Sequence, residues 1–175
     1  MNARDDGAGS RGSRAPLDGV RVLLVDDDAM VRDVIGRLLV GFGGTVIEVA
    51  GVAEALDALP RARPDVVVSD IDMPGENGYA LIRAMRALPA DLGGQTPAVC
   101  LTGRDAEEDE GHALRAGFQH CLTKPVDARR LVTVVANLAS VAAGASRGRR
   151  LVSRAWPAFA GSAEDIGQPR REDTR

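Results

Sequence analysis

The chain has 175 residues, 45% of them hydrophobic, a size that supports one buried core with tails rather than two full domains. Aromatic residues make up only 3%, so the core must be built from Val, Leu, Ile and Ala, which suits a sheet covered by helices. The formal charge of -3 divides unevenly: residues 20–139 hold 18 acidic and 12 basic side chains while residues 140–175 hold 4 and 7, and an acidic folded part is a poor ligand for nucleic acid.

Residues 1–18, rich in Gly, Ser, Arg and Asp, read as a flexible lead, with too little apolar surface to offset ordering entropy and no apolar stretch that could act as a signal peptide. One folded domain is expected over 19–141. Its first strand is the doubly buried run Val22-Leu23-Leu24-Val25, and its first helix carries Val31, Val34, Ile35, Leu38, Leu39 and Phe42 on one face before Gly41, Gly43 and Gly44 end it. Val46, Ile47 and Val49 make a second strand; Val52, Ala55, Leu56 and Leu59 mark a second helix, stopped near Pro60. The third strand, Val66-Val67-Val68, runs into Ser69-Asp70 and is followed by the loop Met73-Pro74-Gly75-Glu76-Asn77-Gly78 and a helix through Leu81, Ile82, Met85 and Leu88. Ala98-Val99-Cys100-Leu101 forms strand four, ending at Thr102-Gly103. Asp105–Ala116 opens with acidic residues that favour a helix N-terminus, and Gly117 is a fitting C-cap. A short fifth strand over about His120–Thr123 and a helix through Leu131, Val134, Val135 and Leu138 complete five strand–helix units, the alternation of an α/β fold with a parallel sheet.

The tail over 142–175 is basic and expected to be mostly disordered. No segment reaches the roughly 18 apolar residues needed to span a bilayer, since Leu131–Ala145 is broken by Thr133, Asn137 and Ser140. Cys100 and Cys121 are too few for a disulfide framework and lack the paired spacing of a zinc site, so they read as buried thiols in a reducing cytoplasm. Of the 22 basic residues, 21 are arginine and one, Lys124, is lysine.

In an open α/β sheet, ligands gather outside the carboxyl ends of the strands. Strand one ends in Asp26, Asp27 and Asp28, strand three in Asp70, strand four in Thr102 and strand five in Lys124-Pro125. Separate segments thus deliver several carboxylates, a hydroxyl and an ammonium to one rim. Magnesium takes hard oxygen ligands and is commonly held by one or two carboxylates. A carboxylate can also act as a nucleophile and form an aspartyl-phosphate, a transfer that needs mostly positioning and neutralisation of charge.

The segments VDDDAM, SDIDMPGENG, LTG and TKP stand in the order and spacing of the receiver domain of response regulators, which residues 20–140 resemble. The resemblance implies a flavodoxin-like five-stranded parallel sheet in the order 2-1-3-4-5 with helices on both faces. It implies that Asp70 is the phosphoacceptor, that Asp26 and Asp27 are the acidic pair at a Mg2+ ion with Asp27 a direct ligand, and that the backbone carbonyl of Asp72 completes the protein ligands. Thr102 and Lys124 would contact the phosphoryl group, and Lys124-Pro125 would be a cis peptide. The implied partners are a histidine kinase or histidine phosphotransfer protein and a downstream protein target, with signalling by protein contact, in the cytoplasm, and no enzymatic activity beyond self-phosphorylation and autodephosphorylation. The 36 residues from 140 onward, with Pro157 and Pro169 and no second periodic pattern, are not expected to form a DNA-binding output domain. Two details separate the chain from the usual pattern: Cys121 stands where the family has Tyr or Phe, and GFQHCLTKPVD looks most like receivers attached to hybrid sensor kinases.

Competing readings are a receiver-fold interaction protein that works without phosphorylation, against which the intact set Asp26, Asp27, Asp70, Thr102 and Lys124 argues, and a magnesium-dependent phosphohydrolase, which would need a cap insertion larger than any here. His112 and His120 read as surface or edge-of-core residues, because the chain lacks the helical bundle on which a phosphotransfer histidine sits.

Overall fold

The computed structural model describes residues 14–74, 77–103 and 106–153. The lead over 1–13, Gly75 and Glu76 of the loop, Asp105, and the tail beyond 153 lie outside the described residues. Five strands, β1 (Arg21–Val25), β2 (Thr45–Val49), β3 (Val66–Asp70), β4 (Ala98–Thr102) and β5 (His120–Thr123), alternate with α1 (Ala29–Gly41), α2 (Val52–Ala62), α3 (Gly78–Ala87), α4 (Ala106–Ala116) and α5 (Ala128–Ser153), and a short 3-10 turn, Ala90–Leu92, precedes β4. All pairings are parallel and the order is β2-β1-β3-β4-β5, as the motif resemblance implies.

The two faces of the sheet follow from strand alternation. Leu23, Val25, Val67, Ala98, Cys100 and Cys121 point to one side, where they pack with Val52, Ala55 and Leu59 of α2, Leu81, Ile82 and Met85 of α3, and Ala113 of α4. Val22, Leu24, Val66, Val68, Val99, Leu101 and Leu122 point to the other, against Ile35 and Leu39 of α1 and Leu131, Val132, Val134 and Val135 of α5. Every residue of β3 and β4 is buried, so Val66–Val68 and Ala98–Leu101 read as unbroken apolar runs before the polar strand ends Ser69-Asp70 and Thr102. Gly117 takes φ +122° after α4 and its N–H bonds to Ala113 and Leu114, the C-cap geometry that the sequence suggests.

Four features differ from the sequence-based expectation. Leu17, placed in the flexible lead, is fully buried in the α1–α5 core, and its N–H donates to the Phe42 carbonyl at 3.0 Å, so an isolated leucine in polar sequence anchors the entry to β1. The α2 helix runs through Pro60 to Ala62, because a proline in the last turn forfeits a single backbone bond, and it ends at Arg63 in the left-handed region, φ 46°. The α5 helix continues to Ser153 rather than ending near 142. Cys100 and Cys121 are linked in a disulfide rather than standing as two thiols. The expected strand order makes β4 and β5 neighbours, but a separation of 21 residues does not show that their register sets these two residues directly opposite.

Candidate phosphoryl and metal site

The carboxyl ends of β1, β3, β4 and β5 meet at one rim. Asp26, the residue after β1, is fully buried, and its backbone N–H reaches the Val49 carbonyl at 3.3 Å. Its carboxylate is engaged on both oxygens: Oδ1 accepts from the Asp28 N–H at 3.0 Å and Oδ2 accepts from Lys124 Nζ at 3.1 Å. Arg32, one turn into α1, donates a guanidinium N–H to the Asp26 backbone carbonyl and so ties the acidic loop to the helix that follows it.

The three consecutive aspartates have three roles. Asp26 is inside, Asp27 is exposed, and Asp28 caps α1, its Oδ1 accepting from the Met30 and Val31 N–H groups at 2.8 and 3.2 Å. Asp70, the last residue of β3, is 5% exposed. Lys124 Nζ lies 3.1 Å from Asp70 Oδ1, an ion pair off the line of a hydrogen bond, so this buried oxygen has no hydrogen-bond partner. Lys124 thus bridges two buried carboxylates with a side chain that is itself 26% exposed. Burial works against both charges. It raises the Asp26 carboxyl above its ordinary range, with the Lys124 hydrogen bond and charge opposing and Asp70 adding to the rise. For Lys124, burial pulls the other way, but the two carboxylates beside it, Asp70 and Asp26, outweigh it and hold the ammonium above the usual lysine value.

Thr102 is buried at the end of β4, and its carbonyl accepts the Lys124 N–H at 2.7 Å, which joins the two residues through the backbone. The Lys124–Pro125 peptide bond is cis, as the resemblance implies. Asp72 lies two residues beyond Asp70 with its side chain exposed. Sequence reasoning overlooked Gly78. A Cβ there would collide with the Asp70 carbonyl oxygen, so only glycine lets the start of α3 press against the backbone of the central aspartate, where the Gly78 N–H donates to Ile71 at 3.0 Å. The signal was available as the last glycine of the loop, but a loop glycine in sequence does not say what it approaches.

Asp26, Asp27 and Asp70 each place a carboxylate oxygen so that all lie within 4.8 Å of one another. Hard anionic oxygens at that spacing, with one buried Asp70 oxygen lacking a hydrogen bond, suit a divalent cation such as magnesium. The arrangement brings together a buried carboxylate, an acidic pair beside it and an ammonium that reaches two of the three carboxylates.

A family model for the response regulator receiver domain matches residues 22–136. Over 114 residues the chain is 42% identical to an uncharacterized 14.6 kDa protein of Leptolyngbya boryana, covering 65% of this chain and 86% of that protein. It is 35% identical over 126 residues to the sensory/regulatory protein RpfC of Xanthomonas campestris, covering 72% of this chain but 17% of RpfC, so the chain spans a small part of that relative. Among solved structures, the receiver domain of the sensor histidine kinase PA1611 of Pseudomonas aeruginosa superposes with a TM-score of 0.62 at 28% identity, covering 69% of this chain and 98% of that one, and it holds a magnesium ion coordinated in its active site cleft.

Proposed function

Because this chain belongs to the response regulator receiver domain family of two-component systems, we propose that it is a phosphorylation switch in which Asp70 accepts a phosphoryl group from a phosphohistidine of a histidine kinase or histidine phosphotransfer protein. The observation that carries the reading is the convergence on one rim of Asp70, the acid pair Asp26 and Asp27, and Lys124 with its ammonium 3.1 Å from both Asp26 and Asp70. An Asp70 oxygen attacks phosphorus, the new O–P bond forms as the N–P bond breaks, and the leaving imidazole keeps that electron pair. Asp26, Asp27, Asp70 and the Asp72 backbone carbonyl would hold a magnesium ion, which would neutralise phosphoryl charge. Lys124 swings from its ion pair with Asp70 to a phosphoryl oxygen while keeping Asp26 as counter-ion, which its flexible stem allows. The Thr102 hydroxyl, at the buried end of β4, is a further donor to the phosphoryl group in this reading.

The chain works in the cytoplasm and signals by contact with a downstream protein. Among the described residues no helix is long and apolar enough to cross a membrane. Incubation of the full chain with a small phosphodonor and magnesium tests the reading. A stoichiometric, acid-stable and base-labile phosphoprotein supports it. No reaction points to phosphorylation-independent binding, and sustained release of phosphate without accumulation points to a hydrolase.

A further inference from the structure

Two cysteines occur in the 175 residues, and the fold sets them face to face. Cys100 is the middle residue of β4 and Cys121 its direct partner in β5, with Cα atoms 4.6 Å apart, inside the span a disulfide can bridge. They are joined. Both side chains point to the α2–α4 side of the sheet, among Ile82, Met85, Ala113 and Phe118. The two strands they join carry the phosphoryl-contacting residues of the rim: Thr102 follows Cys100 by two positions and shares its face, and Lys124 follows Cys121 by three. Beyond the crosslink the Lys124-to-Thr102 backbone bond and the Leu101↔Leu122 and Thr102↔Thr123 pairs tie β4 to β5 before the rim.

We propose that Cys100 and Cys121 are a reversible dithiol–disulfide pair, a modification site whose oxidation state sets how freely the ends of β4 and β5 re-aim at a phosphoryl group. The coupling rests on the reading of Asp70 given above and the expected reversibility on the cytoplasmic setting of that reading, whereas the juxtaposition of the two cysteines does not. Disulfides in a reducing compartment are transient or redox-sensing rather than structural, so a crosslink in a module served by a cytoplasmic kinase is one that forms and breaks. The oxidant is a low-molecular-weight disulfide. Cys121, 8% exposed against 0% for Cys100, is the entry point: its thiolate attacks one sulfur of the small disulfide and expels a thiolate, and the Cys100 thiolate then attacks Cys121 Sγ and expels the second small-molecule thiol. The two cysteines lose two electrons and two protons, and the small disulfide gains both, leaving two thiols. Closing the bond holds β4 and β5 in the arrangement seen here, with Lys124 paired to Asp26 and Asp70, and so disfavours its transfer to a phosphoryl oxygen.

The test uses the full chain equilibrated in buffers of graded reduced and oxidised glutathione, with titratable thiols and intact mass measured under denaturing quench. Thiols should fall from two to none with loss of two hydrogens and no added glutathione. Retention of both thiols under the most oxidising buffer, or stable glutathione adducts in place of the crosslink, would overturn the pair. Phosphorylation by a small phosphodonor with magnesium is then measured on each form, and the steady-state phosphorylated fraction should drop about fivefold on oxidation, the lower end of couplings between linked sites. The Cys121→Ala variant should lose that dependence. Equal phosphorylation of both wild-type forms would overturn the coupling. If neither form is phosphorylated, the reading of Asp70 falls and the coupling with it, while the thiol count still decides the pair.

Discussion

Strands β4 and β5 end at two very different buried charges. At their carboxyl ends, Asp26, Asp70 and Lys124 share a rim where one Asp70 oxygen has no hydrogen bond and burial raises the Asp26 carboxyl. At their amino ends, the half-buried guanidinium of Arg86 in α3 is bonded on all three nitrogens. Its Nη1 donates to the Gly94 and Thr96 carbonyls at 2.9 and 2.8 Å, Nε and Nη2 donate to the Gly117 carbonyl at 3.1 and 2.8 Å, and Nη2 also reaches Gln119 Oε1 at 3.1 Å. Gln119 Oε1 in turn accepts the Ala98 N–H at 2.7 Å, closing a network at the first residues of both strands. Burial pushes the Arg86 guanidinium down from its ordinary value. The contrast separates scaffold from machinery: a buried charge whose bonding is complete fixes backbone, and one left incomplete has capacity for a ligand.

The largest test of that contrast is Asp70→Asn. The amide is a poor nucleophile, so phosphorylation by a small phosphodonor should be abolished, while thermal stability holds or rises because a buried charge with an unmet hydrogen bond is gone. A wild-type yield of base-labile phosphate from the variant would remove Asp70 from the mechanism. Next in size is Lys124→Arg. A planar fork here is bulkier and pairs bidentately with Asp70, stabilising the unphosphorylated state and competing with the cation. The variant should fold with the wild-type melting curve and yet fail to signal. Lys124 is also the sole lysine, so an amine reagent can modify only it and the α-amino group. Beryllofluoride with magnesium, as a phosphoryl mimic on Asp70, should shield that side chain, and equal labelling with and without the mimic would show that Lys124 does not contact the phosphoryl group.

At the opposite rim the effect should fall on stability instead. Arg86→Leu strips partners from the Gly94, Thr96 and Gly117 carbonyls and should cost about 2–4 kcal/mol. Denaturant melts would show this, with the phosphorylation rate well below the transition unchanged. A lost phosphorylation rate with unchanged stability would reverse the assignment of scaffold and machinery.

Legibility in the sequence divides along the same line. The rim could be read because each contributing residue sits at the end of a recognisable apolar run: Val22–Val25 before Asp26, Val66–Val68 before Asp70, Ala98–Leu101 before Thr102. The rule that ligands gather at those ends then brings distant residues together. The Arg86 network could not be read. An arginine on an amphipathic helix is ordinarily a solvated residue, and its acceptors are backbone carbonyls, which carry no sequence signature. Leu17 failed for a related reason, since one apolar residue in a Gly- and Asp-rich stretch has no period. The cysteine pair needed the β4–β5 register, which the spacing of 21 residues does not display. The separate roles within Asp26-Asp27-Asp28 were half visible: the run marks acid at a strand end, but only the turn into α1 decides that Asp28 is spent as a cap.

The smallest expected effect sharpens the meaning of the solitary lysine. Arg61 pairs with Asp57 one helical turn earlier on α2, with both side chains about two-thirds exposed. The acidic partner precedes the basic one, the favourable order on a helix, but in water such a pair contributes only about 0.3–0.5 kcal/mol. A lysine ammonium reaches the same carboxylate, and neither geometry nor desolvation distinguishes the two cations there. Arg61→Lys should therefore leave melting temperature and phosphorylation unchanged, within about 0.5 kcal/mol. The reciprocal change at position 124 differs in every physical term. Its two carboxylates are buried, its distances to them are 3.1 Å each, and its function requires leaving one of them. If Arg61→Lys is silent and Lys124→Arg is inactive but folded, the surface arginines reflect a compositional preference that water tolerates, and the lysine marks the point where the shape of the cation decides the chemistry. If both changes are silent, the rim requires only a positive charge, and the hand-over of Lys124 from carboxylate to phosphoryl oxygen is not what couples phosphorylation to signalling.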